Sequence, residues 1–229
     1  MPVYRMMYTK EGPARYISHL DLLRTIERSV RRAGLPIAFT SGFNPHPKIA
    51  FAAPLAVGTA GEAEFADLEL AGEIPATSVQ RDLSGTLPEG LRLLEVRQVE
   101  AQTPALMSMV ERATYRAEAR LNDQLSKDTL DRAIKVFLDQ PEILVQRKNK
   151  AGERKIYDIR PGIFDMSGRV DNDIIIIETE LKTGSRDNIR LEEVMDAFSA
   201  NSQLPLQGKF VLYRTGLYPA VEKADKTLW

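Results

Sequence analysis

Cysteine is missing from all 229 residues of the chain, and histidine occurs only twice. Without cysteine the protein forms no disulfide, carries no thiol nucleophile and cannot ligate an iron–sulfur cluster. Most structural zinc sites are excluded as well, and a zinc ion bound by both histidines would still need Asp21 as a further ligand. The sequence therefore predicts neither a metal site nor a bound cofactor.

The chain also lacks an excess of either charge, because 31 Lys and Arg residues balance 32 Asp and Glu residues. No overall field therefore draws it to nucleic acid or to a membrane. No apolar run approaches the roughly 18 residues that span a bilayer, and the first residues do not resemble a signal peptide. We expect a cytoplasmic protein with no membrane partner. The absence of a glycine-rich phosphate loop or dinucleotide fingerprint argues against nucleotide hydrolysis and hydride transfer.

The first third of the chain alternates strand and helix patterns. Val3 to Lys10 predicts a strand, and Ser18 is placed as the N-cap of an amphipathic helix that ends at Gly34. The apolar runs LPIAF and KIAFAAPLAV predict two short strands joined by an irregular loop. The segment Glu62 to Leu70 predicts a strand with one solvent-exposed face, which carries Glu62, Glu64, Asp67 and Glu69.

The same order of elements recurs after Ala113, where Ser126 is the predicted cap of another amphipathic helix. We therefore predict an α+β fold made of two ferredoxin-like (βαββαβ) units in tandem, with antiparallel sheets and helices on one face. Polar residues and a proline interrupt the pattern in EAQTPALMSM. The boundary placed there gives an N-terminal domain of residues 1–104 and a C-terminal domain of residues 105–229.

Positive charge is concentrated locally, since six Arg and Lys residues face two acidic residues between Arg15 and Lys48. Arg24, Arg28 and Arg31 recur at helical spacing and form one stripe, which Arg32 extends. A solvated helix face gives the same pattern, but arginine is also the residue that contacts phosphate in a bidentate manner. The candidate RNA or anion surface consists of Arg15, Arg24, Arg28, Arg31, Arg32, Asn44 and Lys48.

The loop FTSGFNPHPK holds His46 between two prolines. Pro45 and Pro47 restrict the backbone on either side of this histidine, and Gly42 permits the turn. These three residues predict a rigid recognition loop. His46, and His19 at the first turn of the helix, are also the candidate catalytic groups, although each is equally explained as a surface residue or a loop contact.

At this point the motifs become recognisable. Ser-His-Leu-Asp, Arg-Arg-Ala-Gly-Leu-Pro, Ser-Gly-Phe-Asn-Pro-His-Pro-Lys and Pro-Leu-x-x-Gly together closely resemble the N-terminal block of the radical-SAM-linked protein family. The later YDIRP and YRTGLY resemble its C-terminal landmarks, so the resemblance covers most of the chain. It implies a bacterial protein whose domain is fused to, or encoded beside, a radical S-adenosylmethionine protein, often near genes for a ribonuclease and ribosomal proteins. Because this chain has no cysteine to bind the cluster, the partner would perform any radical chemistry.

Two functional hypotheses follow. The first is a non-catalytic adaptor that presents RNA, or a component of the translation machinery, to a radical S-adenosylmethionine partner through the basic helix and the Pro-His-Pro loop. The second is a metal-independent RNA-processing enzyme, by analogy with CRISPR-associated double ferredoxin-like proteins, in which His19 or His46 acts as a general acid or base.

Overall fold

The computed structural model describes residues 1–100, 102–148, 152–184, 188–219 and 228–229. The chain divides into two compact units: unit 1 contains residues 1–111 and 214–229, and unit 2 contains residues 112–213. The sequence-based boundary instead gives every residue after 104 to the second domain. Residues from Arg214 onward return to unit 1, where the Arg214 side chain is buried against Glu64.

Unit 1 is an antiparallel sheet with helices. Its sheet order is β4-β1-β3, and a short strand β2 also pairs with β3. A 3₁₀ helix, Gly12–Tyr16, follows the first strand. The elements are β1 (Val3–Lys10), α1 (His19–Arg32), β2 (Ile49–Phe51), β3 (Ala60–Glu69), α2 (Ala76–Ser84), β4 (Leu91–Val99) and α3 (Leu106–Met109).

The core of unit 1 lies between its sheet and two helices. Apolar residues of α1 recur every three or four positions and are buried, as at Ile26 and Val30. The buried side of α2 joins the same cluster, which includes Tyr4 and Met6 of β1 and Leu68 of β3. Since residues 4 and 6 of a strand point to one face, α1 and α2 cover that face, whereas Arg5 points to the other.

Unit 2 is also a mixed unit with an antiparallel sheet, ordered β10-β5-β9-β8. A separate two-stranded hairpin, β6 with β7, follows its first helix. Its elements are β5 (Val110–Leu121), α4 (Lys127–Leu138), β6 (Leu144–Lys148), β7 (Arg154–Asp158), β8 (Ile163–Asp171), β9 (Ile174–Lys182), α5 (Leu191–Ser202) and β10 (Leu206–Pro219), with a 3₁₀ helix at Arg160–Gly162. The first two residues of β5 and the residues of β10 from Arg214 onward belong to unit 1.

The predicted α+β class with antiparallel sheets is confirmed, and so are the caps: Ser18 accepts from the Asp21 amide and Ser126 from the Thr129 amide. The strand predicted for LPIAF is wrong, because this segment makes only isolated bridges, such as Ile37 with Leu70. Two prolines in and after it supply no amide donor for a continuous ladder. Within the described residues, no helix has the length and apolar character needed to cross a membrane.

Candidate functional site

The start of α1 is fixed by local and long-range hydrogen bonds. Ser18 Oγ accepts from the Asp21 amide at 3.2 Å and donates to the Asp21 carboxylate at 2.7 Å. The buried ammonium of Lys10 donates to the carbonyl of Ile17 at 3.1 Å, directly before the cap. These bonds set where the helix begins, and His19 follows as its first residue.

The arginine stripe of α1, defined as Arg24, Arg28 and Arg31, is exposed to solvent along its length. Arg24 lies 3.4 Å from Asp21, and Arg31 lies 2.7 Å from Glu27. Arg28 makes no ion pair with any residue that the structure describes. Exposed pairs of this kind contribute only about 0–1 kcal/mol, so an anionic ligand can displace them at little cost.

Two further predicted arginines are tied to the backbone. Arg15 Nε donates to the carbonyl of Gly58 at 2.7 Å. Arg32 donates to the carbonyl of Thr86 at 2.6 Å and to the hydroxyl of Ser29 at 3.1 Å. Both therefore connect α1 or its preceding turn to neighbouring loops. Anion binding by these two residues stays a prediction.

The recognition loop, residues 39–48, is closed at its neck by backbone bonds. The Thr40 amide donates to the His46 carbonyl at 2.9 Å, and the His46 amide donates to Thr40 Oγ1 at 3.0 Å. The Lys48 amide adds a bond to the Ala38 carbonyl at 2.8 Å. Gly42 has φ +132°, a conformation that other residues rarely adopt, which explains the glycine in the turn.

The tip of this loop is fully solvent-exposed. Phe43 buries none of its side chain, and Asn44, Pro45 and His46 are exposed beside it. An exposed phenylalanine on a closed loop contributes nothing to the core, because no apolar surface is removed from water. Aromatic rings in this setting are typical of recognition, where they stack on a base or enter a partner's pocket.

A cavity of about 530 Å³ lies between the base of this loop, the start of α1 and α3. His19 and Leu23 line it from α1, and Phe51 lines it from β2. The His19 imidazole makes an edge contact with the Phe51 ring at 5.0 Å. Val3 of β1 and Val99 of β4 also line it. The remaining lining residues come from the loop, β2, β3 and the segment from residue 100 to α3: Thr40, Pro47, Lys48, Ile49, Ala50, Asp67, Glu69, Glu100, Thr103, Pro104, Ala105, Leu106 and Met107.

The cavity and the arginine stripe lie on different sides of α1. At 100° per residue, His19 and Leu23 are about 120° around the helix axis from the mean direction of Arg24, Arg28 and Arg31. The predicted basic surface is therefore two adjoining surfaces: an arginine side, and a cavity side that Lys48 joins.

The two histidines occupy different environments. His19 is half-buried at the cavity, whereas His46 is exposed and does not line it. The His46 imidazole makes no hydrogen bond or ring contact with any described residue. The two histidine rings therefore do not line one common site. In the described parts of the chain, no three His, Asp or Glu side chains are grouped as metal ligands.

A buried ionic cluster lies in the core of unit 1. Arg214 Nε donates to Glu64 Oε1 at 2.8 Å, and its Nη2 donates to Glu64 Oε2 at 2.5 Å. Burial raises the pKa of the neighbouring Tyr8 well above its usual value, and the Glu64 charge adds to that effect. Burial lowers the pKa of Lys10, with Glu64 opposing that change. The predicted solvent-exposed position of Glu64 is wrong, since the residue is only 2% exposed.

A second buried arginine, Arg5, joins the cavity wall to the end of the chain. Its Nε and Nη2 donate to the two oxygens of Asp67 at 2.7 and 2.9 Å, and its Nη1 donates to the carbonyl of Leu228. Trp229 packs edge-on against Phe65 with ring centroids 5.3 Å apart. The described end of the chain is thus anchored on the face of β1 and β3 opposite α1.

Sequence patterns alone missed three parts of the candidate site: Phe43, Glu69 and the α3 segment. Phe43 lies inside the quoted loop, and its isolation among Gly, Asn and Pro residues could have indicated exposure. Glu69 appeared as one more charge on an alternating strand, and residues 103–107 appeared as an inter-domain connection. Nothing local in the sequence shows that these two segments meet at one cavity.

Comparison with solved structures finds similar chains at low sequence identity. One chain of a Cbf5-Nop10-Gar1 complex has 11% identity and a TM-score of 0.53, with 96% of this chain and 50% of that chain covered. An archaeal box H/ACA sRNP Nop10-Cbf5 complex has 12% identity and a TM-score of 0.48, with the same coverage. The chain therefore spans about half the length of each of these two solved chains. At this identity the first of these structures indicates a similar fold alone.

No curated protein matches the chain. A family model does, over residues 3–191, and it is described as an uncharacterized protein conserved in bacteria. Because this match covers most of the 229 residues, the chain belongs to that bacterial family, DUF2344.

Proposed function

We propose that this protein is a non-catalytic binding module that holds single-stranded RNA and works with a radical S-adenosylmethionine partner. The arginine stripe supports this proposal most directly. Its three guanidinium groups are exposed, share one side of α1 and are at most weakly paired. Guanidinium groups at this spacing suit a phosphate backbone, which binds through several cations and releases counterions.

The exposed loop tip supports RNA over a simple anion. Phe43 provides a ring on which a base can stack, and Asn44 and His46 provide hydrogen-bonding groups next to it. Single-stranded RNA is recognised by this combination of aromatic stacking and backbone cations. The closed neck of the loop reduces the entropy cost of ordering it when RNA binds.

The role of the partner rests on the resemblance of the motifs to the radical-SAM-linked family. A chain without cysteine requires another protein for cluster chemistry. In this proposal the module positions RNA, such as RNA of the translation machinery, for that partner. The histidines have no catalytic role.

We also interpret each unit as a ferredoxin-like arrangement. In unit 1 the order β4-β1-β3 with β2 on β3 agrees with a βαββαβ unit, and α1 and α2 share one face. In unit 2 the order β10-β5-β9-β8 agrees with the same plan if the β6 and β7 hairpin is an insertion. A solved experimental structure that gives different strand neighbours would contradict this interpretation.

The test of RNA binding is its dependence on salt. The affinity of the wild type for single-stranded RNA should fall with salt concentration, and Arg24→Ala/Arg28→Ala/Arg31→Ala should weaken binding and reduce the slope. Arg92→Ala/Arg120→Ala/Arg132→Ala is the matched control, because it removes the same charge from exposed positions elsewhere. Negligible binding by the wild type, or equal binding by both triple variants, would contradict the proposal.

A further inference from the structure

The cavity of unit 1 combines an apolar wall with a polar wall. Leu23, Phe51, Leu106 and Met107 supply apolar surface, while Lys48 and the strand β3 supply charged groups. Its volume of about 530 Å³ falls within the roughly 300–1,000 Å³ of small-ligand sites. Flat aromatic ligands fit such a site, since their faces pack on the apolar wall and their edges meet polar groups.

The polar wall carries a donor and an acceptor side by side. Lys48 Nζ lies 2.8 Å from Glu69 Oε1, and the two side chains are 32% and 25% exposed. Glu69 Oε2 accepts no hydrogen bond from any residue that the structure describes. A carboxylate accepts about four hydrogen bonds and an ammonium donates three, so both groups retain capacity toward the cavity. Asp67, by contrast, uses both oxygens on Arg5.

We propose that this cavity receives a guanine base of the bound RNA, an inference that rests on the RNA-binding function proposed above. The Watson–Crick edge of guanine presents a carbonyl oxygen next to a ring N–H and an amino group. Lys48 would donate to the carbonyl, and Glu69 would accept from the N–H and the amino group. Adenine presents an amino group next to an acceptor nitrogen, which is the reverse order. Its amino donor would face the Lys48 donor, and its ring nitrogen would face the Glu69 acceptor. Uracil presents a carbonyl and one N–H but no second donor.

Three RNA heptamers test this assignment. Each consists of adenylates except at the central position, where the base is guanine, uracil or adenine. Fluorescence anisotropy at constant salt should give the wild type about tenfold tighter binding to the guanine heptamer than to the adenine heptamer. Glu69→Gln should remove most of that preference, because an amide presents a donor to the guanine edge. Glu73→Gln is the matched control, as an exposed glutamate outside the cavity. Ala105→Trp, at an exposed cavity position, fills the space without altering the core.

The outcomes separate this inference from the proposed function. Guanine preference that is lost in both Glu69→Gln and Ala105→Trp but kept in Glu73→Gln supports the cavity as the base site. Equal binding of all three heptamers by the wild type overturns base reading while RNA binding stands. Guanine preference that survives both cavity variants places the base elsewhere and overturns the assignment. Binding of no heptamer overturns the proposed function together with this inference.

Discussion

Replacing Arg214 with methionine removes the cation that neutralises Glu64 in the core of unit 1. Both side chains are nearly inaccessible, at 2% and 3% exposure. Arg214 also donates to the carbonyls of Pro54 and Ala53 at 3.1 and 3.0 Å. The substitution therefore leaves a carboxylate without its cation and two carbonyls without this donor.

The structure sets the size of the effect. Removing one partner of a buried pair costs about 3–5 kcal/mol in free energy of unfolding, and each orphaned carbonyl adds to that cost. We expect the loss of unfolding free energy in Arg214→Met to lie at the upper end of that range. Glu64→Gln keeps the side-chain shape and leaves the two carbonyl bonds intact, so it should cost less. In the double variant the unpaired negative charge is gone, and Glu64→Gln should restore about 1–2 kcal/mol to Arg214→Met.

Urea unfolding followed by circular dichroism measures all three variants against the wild type. Arg169→Met is the control, because Arg169 and Glu178 are 54% and 53% exposed and should contribute less than about 1 kcal/mol. If Arg214→Met is no more destabilising than Arg169→Met, the buried pair does not stabilise unit 1 as described. If Glu64→Gln further destabilises Arg214→Met, an unpaired buried charge is not the cause of the destabilisation by Arg214→Met.

Three further predictions concern single side chains. The raised pKa of Tyr8 keeps its phenol neutral in the folded state, whereas the phenol of the unfolded chain ionises near 10.0. The free energy of unfolding should therefore fall as pH rises above that value. In urea titrations, Tyr8→Phe should remove this part of the loss. Phe43→Ala should weaken RNA binding by about 1–3 kcal/mol with unchanged unfolding; unchanged affinity would contradict stacking. Ser126→Ala removes the cap bond to the Thr129 amide and should lower the free energy of unfolding by about 1 kcal/mol. Ser126→Asp should retain stability, because aspartate also caps helices; equal loss by both variants would argue against capping.

Local features were predictable because their causes lie within a few residues. The bond between Ser18 and the Asp21 amide is a short-range contact, and the apolar spacing of α1 identifies its buried side without knowledge of its neighbours. The loop around Gly42 follows equally from turn chemistry. Sequence patterns therefore predicted these local features of the fold correctly.

Other features depend on distant residues and could not be predicted. Glu64 and Arg214 are 150 positions apart, and an alternating strand looks the same whether its glutamate faces water or an arginine. The cavity likewise joins α1, β3 and α3, which no pattern in one segment relates. Sequence reasoning therefore located His19 and Lys48 but could not show that they share a cavity from which His46 is absent.

The divided composition of unit 1 has a consequence during synthesis on the ribosome. Glu64 emerges 150 residues before Arg214, which at 5–20 residues per second corresponds to a delay of about 8–30 s. Throughout that delay the nascent unit 1 holds a carboxylate whose cation has not yet been made, while residues 112–213 emerge as one continuous segment. We therefore expect the first 111 residues to become protease-resistant only after Arg214 has been added.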